Sequence, residues 1–101
     1  MATTYLRPSE AKGRLSEFDV ILDVRRSDEW ESGHLELPTV RFVENLHMCP
    51  DKLAGLDDLK DKKVLVHCGM GVRARKVGDM LADKVANLFV VVDGGYPDLI
   101  K

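Results

Sequence analysis

Three short runs of aliphatic and β-branched residues constrain this chain most: DVILDV at 19–24, KVLVH at 63–67 and LFVVV at 88–92. Runs of this length without polar alternation are strands buried on both faces. The stretches between them carry helical signals. Pro8 and Ser9 open a short helix toward Leu15, and Ser27 is placed to cap a turn through Asp28, Glu29 and Trp30 with Gly33 as a left-handed stop. Residues 73–86 form an amphipathic helix with Val77, Met80, Leu81 and Val85 on one face. Residues 3–6 and, more weakly, 40–43 are further strands. Strands alternating with helices predict an α/β fold, a parallel sheet with helices on both faces. Residues 45–62, polar and broken by Pro50 and Gly55, predict a turn and one short helix.

A chain of 101 residues suits one domain with a single modest core, so 1–101 is expected to be one unit. Net charge is -2 with a pI near 5.9, which offers no general attraction to nucleic acid or anionic lipid. MATTYLRPSE lacks the basic and apolar regions of a secretory signal, and no apolar run approaches the length of a membrane span. The expectation is a soluble, cytoplasmic protein without nucleic-acid or membrane partners. Cys49 and Cys68 are too few for a disulfide scaffold, and their spacing matches no zinc motif with His34, His47 or His67. Both are expected as free thiols, with no metal and no cofactor.

Cys68 stands where a strand ends and a helix is about to begin, in the stretch HCGMGVRARK. Gly69 and Gly71 allow a sharp turn in which successive N–H groups converge, and the helix start adds partial positive charge. A thiol there, with Arg73 close by, is expected to be acidified and nucleophilic without a general base. The alternative is a small buried hydrophobe, the common fate of a free cysteine. HMCPD around Cys49 offers neither glycines nor a helix start. His67 is expected to be a satisfied strand-end residue, His34 a turn residue and Trp30 core. Gly69, Gly71 and Ala74 also fit a dinucleotide-binding fingerprint, with Asp93 about twenty residues on. That reading leaves Cys68 and DVRRSDEWESGHL unexplained.

Those two segments together resemble the rhodanese-like sulfurtransferases. Asp23, Val24, Arg25, Glu29, Trp30, Gly33, His34 and Leu35 match the pattern D-V-R-x-x-x-E-[YW]-x-x-G-H-[IL], and Cys68, Gly71 and Arg73 match C-x-x-G-x-R. Gly94 and Gly95 resemble the glycine pair after the family's last strand. The resemblance implies a five-stranded, mainly parallel sheet and transfer of a sulfane sulfur through a persulfide on Cys68. It further implies donor binding by Gly69, Met70, Gly71, Val72 and Arg73, with the amides of Met70 to Arg73 cupping the sulfur while the Arg73 guanidinium holds an anion. Asp23, Arg25 and Glu29 are expected to be a structural brace. The implied partners are a small sulfur donor, thiosulfate or mercaptopyruvate, and a thiol or protein acceptor. The segment ELPTVRFVE departs from the family's usual small-residue step, and the loop mixes features of the two donor branches, so the donor stays open. Phosphatases and arsenate reductases of the same fold are similar to C-x5-R, one residue longer than the four between Cys68 and Arg73. A non-catalytic binding module of the family is the remaining alternative.

Overall fold

A computed structural model describes residues 3–101. Five strands, β1 (Thr4–Leu6), β2 (Val20–Asp23), β3 (Val40–Phe42), β4 (Lys63–His67) and β5 (Asn87–Val91), form one sheet in the order β1-β5-β4-β2-β3. Every pairing is parallel, which sharpens the expectation of a mainly parallel sheet. The helices are α1 (Pro8–Lys12), α2 (Ser27–Ser32), α3 (Val72–Leu81) and α4 (Tyr96–Leu99). Among the described residues no helix is long and apolar enough to cross a membrane.

The apolar runs are buried on both faces, as their lack of alternation requires. Val20, Leu22, Val64, Val66, Leu88 and Val90 point to one side and pack with Ala74, Val77 and Leu81 of α3. Ile21, Leu65 and Val91 point to the other and meet Ala11 of α1 and Leu99 of α4. A period of two along each strand thus splits one apolar run between two cores. Gly78 lets α3 lie close on β5, since a Cβ there would stand 2.7 Å from a Val90 methyl.

Four local expectations are corrected. The segment after Asn45 holds two 3-10 helices, Leu46–Met48 and Pro50–Leu59, rather than one short helix. α3 ends at Leu81, five residues before the amphipathic pattern does, where the chain turns toward β5. The residue before α2 is Arg26, not Ser27, and the Glu29 carboxylate accepts the Arg26 N–H at 3.0 Å. Gly33 has φ 158° and ψ 144°, outside the left-handed helical well, and its carbonyl accepts from the Arg25 guanidinium at 2.7 Å. Among the described non-glycine residues, positive φ falls on Asn45 and Asp93, at 52° and 61°.

A buried ion pair braces the end of β2. Arg25 reaches Asp23 through Nε at 2.9 and 3.1 Å and Nη2 at 2.8 Å, with both side chains almost wholly shielded from solvent. The Arg25 guanidinium also lies 4.2 Å from the centroid of the Tyr96 ring. Burial of two charges is costly, and the forked geometry with the Gly33 carbonyl offsets it. Removing one partner leaves the other buried and uncompensated. Asp23→Ala is therefore expected to lower stability by about 3–5 kcal/mol, and Asp23→Leu with Arg25→Met to recover most of the loss, as read from urea unfolding midpoints.

Candidate active site

Chain connections turn in opposite directions at the centre of the sheet: β2 leads outward to β3 on one side, and β4 leads to β5 on the other. Such switch points leave a crevice beyond the carboxyl ends of the strands. Cys68 follows β4 at that place. The loop from Cys68 to Gly71 returns the chain to α3, with Gly71 at φ 101° and ψ -19° immediately before its first residue. A Cβ on Gly71 would stand 2.9 Å from the Asp93 nitrogen, so glycine is needed for both conformation and space.

The turn brings two N–H groups to one sulfur. Gly71 donates to Cys68 Sγ at 3.0 Å and Ala74 at 3.3 Å, and the cysteine is fully buried. The start of α3 adds its unpaired N–H groups and partial positive charge from the same side. Two backbone donors and a helix start thus converge on one sulfur atom. The expected cup of Met70 to Arg73 amides is thereby corrected in detail: of these, Gly71 reaches the sulfur, and the second donor is Ala74, one residue past the motif. Met70 and Val72 are instead 80% and 65% exposed and rim the loop, while Gly69 sits half-buried against the Arg73 guanidinium.

Glycines after β5 hold the loop from behind. Tyr96 N donates to the Cys68 carbonyl at 2.8 Å and Gly94 N to that of Met70 at 3.2 Å. At Gly95 an added Cβ would overlap the Cys68 carbonyl oxygen. The pair recognised in the sequence is thus a clamp on the cysteine loop.

Arg73 and Glu29 correct two expectations together. Arg73 Nη1 meets Glu29 Oε1 at 2.6 Å and Nη2 meets Oε2 at 3.0 Å, both side chains being 22% exposed. Glu29 is therefore no member of the Asp23–Arg25 brace, and the guanidinium expected to grip a donor already holds a carboxylate. The Arg73 contact, then the N–H of Arg26, keep the Glu29 carboxyl at a pKa of about 2 despite partial burial. The Arg73 pKa is raised chiefly by the same pair.

The histidines also differ from expectation. His67 is buried with neither ring nitrogen hydrogen-bonded, 3.9 Å from Asp23 and beside the Tyr96 ring. Burial lowers its pKa against the opposing pull of Asp23. His34 stacks on Trp30 with centroids 3.6 Å apart, and Trp30 also stacks on Phe42, a half-buried row rather than core. Both cysteines are free, and half-buried Cys49 lies between the two 3-10 helices.

Residues 7–101 match the rhodanese-like domain family. The chain belongs to that family. A rhodanese-like domain protein from Staphylococcus aureus has a TM-score of 0.66 at 24% identity, covering 98% of this chain and 91% of that one, a likeness of fold. A tRNA uridine(34) hydroxylase from Cytophaga hutchinsonii is 35% identical over 81 residues, 79% of this chain and 26% of that protein. Another from Enterobacter sp. strain 638 is 31% identical over 96 residues, 90% of this chain and 27% of that protein. The rhodanese-like chain thus spans about a quarter of the length of these curated relatives.

Two outcomes follow for the site. Gly95→Ala is expected to cost about 1–3 kcal/mol or more through overpacking against backbone, and to speed alkylation of Cys68 by iodoacetamide by loosening its cover. Equal alkylation rates in the two proteins would remove the clamp. The lowered pKa of Glu29 makes its ion pair a contribution to stability fully present above the ordinary pKa of 4.5 and lost as pH falls toward about 2. Glu29→Gln should flatten that part of the acid-side loss, measured by urea unfolding across the same pH range.

Proposed function

We propose that this rhodanese-like chain is a sulfurtransferase that moves a sulfane sulfur from a small donor to a thiophilic acceptor through a persulfide on Cys68. The observation that carries the reading is the pair of N–H groups directed at a buried sulfur at the start of α3. The Cys68 thiolate attacks the outer sulfur of a donor such as thiosulfate. A new S–S bond forms, the donor's S–S bond breaks, and its electron pair leaves with sulfite. An acceptor thiolate or cyanide then attacks the outer sulfur of the persulfide, and Cys68 departs as thiolate. No net oxidant enters, and the two half-reactions have ping-pong form. The amides of Gly71 and Ala74 act on sulfur as oxyanion-hole donors act on oxygen. Met70 and Val72 form the exposed rim past which donor and acceptor approach, with Gly69 supplying the turn. Mercaptopyruvate is the other donor consistent with the loop.

Four residues between Cys68 and Arg73 support sulfur transfer over phosphate hydrolysis, because a tetrahedral phosphate needs a wider ring of donors than one sulfur atom does. The names of the curated relatives support a second setting, as one part of a larger protein that acts on tRNA. A net charge of -2 argues against this segment binding the RNA by itself.

The decisive measurement is intact mass after incubation with excess thiosulfate: one added sulfur, removed by dithiothreitol, is expected. Cys68→Ser should lose this adduct and the transfer of sulfur to cyanide while folding normally, and Cys49→Ser should keep both. Hydrolysis of an aryl phosphate by the native protein that vanishes in Cys68→Ser would overturn the assignment.

A further inference from the structure

The Arg73 guanidinium, beside the cysteine loop, is not free. Both terminal nitrogens of Arg73 are committed to the two oxygens of Glu29, and a Cβ on Gly69, next to Cys68, would stand 2.8 Å from Arg73 Nη2 and 3.3 Å from Glu29 Oε2. Carboxylate and cation therefore flank the loop together. Glu29 Oε1 is further fixed by the Arg26 N–H at 3.0 Å, with Arg26 Nε at 3.9 Å, so it is held from α2 as well as from α3.

Other charges around the loop do not restore a strong positive field. A neighbouring cavity of about 220 Å³, lined in part by Met70, Gly71 and Val72, carries Arg75 and Lys76 but also Asp79 and Asp93. Burial, then the nearby cations Arg73 and Lys76, lower the pKa of His47. A donor reaching Cys68 meets a guanidinium already neutralised by its own partner.

We propose that Glu29 is the specificity-determining residue of the donor site: by cancelling the Arg73 charge it favours donors whose transferable sulfur is carried on a group with one negative charge or none, and disfavours dianions. Glu29 acts through Arg73, as a positioning residue with an electrostatic consequence. This inference rests on sulfur transfer through Cys68. Each donor reacts by the same balanced displacement. Thiosulfate releases sulfite, and methanethiosulfonate, in which a methyl group replaces one charged oxygen, releases methanesulfinate. The two anions have nearly the same tetrahedral shape and differ by one charge, so a ratio of their efficiencies isolates charge from size.

The test measures kcat/KM for thiosulfate and methanethiosulfonate with cyanide as acceptor, in the wild-type protein and in Glu29→Gln. The glutamine keeps an acceptor for the Arg26 N–H and removes the carboxylate charge. The thiosulfate-to-methanethiosulfonate ratio is expected to rise about tenfold in Glu29→Gln, mainly through a lower KM for thiosulfate, the size of one unit charge acting over a few ångströms in a partly solvated site. A loss of structure alone would lower both efficiencies and leave their ratio unchanged. Should the variant fold poorly, the wild-type protein decides the matter by its response to salt. With Arg73 neutralised, efficiency with the dianion falls no more steeply than with the monoanion, whereas a free cation makes the dianion's fall about twice as steep. An unchanged ratio in folded Glu29→Gln, or the steeper dianion response, overturns the proposal while leaving sulfur transfer standing. Failure of both donors to load Cys68 overturns the sulfur-transfer reading, and this inference with it.

Discussion

Everything at the candidate site depends on how closely two stretches of backbone approach each other. The chain after β5 lies against the cysteine loop so tightly that Gly95 has no room for a Cβ beside the Cys68 carbonyl, and the Tyr96 N–H bonds that same carbonyl at 2.8 Å. Gly94 N bonds the next carbonyl but one, at Met70. The loop is thereby fixed at its back, while Gly71, at positive φ, turns its own N–H forward to the sulfur. An ordered loop loses conformational entropy of about 1–2 kcal/mol per residue, and these hydrogen bonds together with the buried strand beneath offset it. Preorganisation follows: the donors are already aimed before any negative charge develops on the sulfur.

Asp23, Arg25 and Glu29 share the motif D-V-R-x-x-x-E, yet the two ion pairs they enter differ in burial. Asp23 and Arg25 are shut between the sheet end and Tyr96, where an unpaired charge is intolerable, so they act on stability. Glu29 and Arg73 remain partly solvated at the loop, where loss of one partner costs less than it does for the buried pair. The link between α2 and α3 that this second pair makes also ties the two motif segments of the sequence together. His67, one residue before Cys68, takes no part in it, being buried on the side of Asp23 and Tyr96. Neither of its ring nitrogens has a hydrogen-bond partner there.

Much of the architecture was legible because it follows from local chemistry. Apolar runs without alternation must be central parallel strands, and the five strands, the helices on both faces and the place of Cys68 at a strand's end all came from that rule and from the family resemblance. The errors lie where local patterns underdetermine the outcome. The polar stretch 45–62 coils into 3-10 turns, and α3 stops before its amphipathic pattern does. His67 is identified easily as a strand-end residue, yet no spacing indicates that both its nitrogens lack partners. Ala74 as a donor to sulfur left no mark either, since every residue but proline carries the same N–H group.

The sequence by itself determined the strands, the glycine-bearing turn and the thiol placed ahead of a helix, because strand burial, positive φ and helix initiation depend on residues adjacent in the chain. Tertiary structure alone decided that Arg73 is bound to Glu29, forty-four positions away, and that Gly95 presses on the Cys68 carbonyl. Distance through space, on which both the ion pair and the steric limit depend, is created only when the sheet brings β2, β4 and β5 side by side.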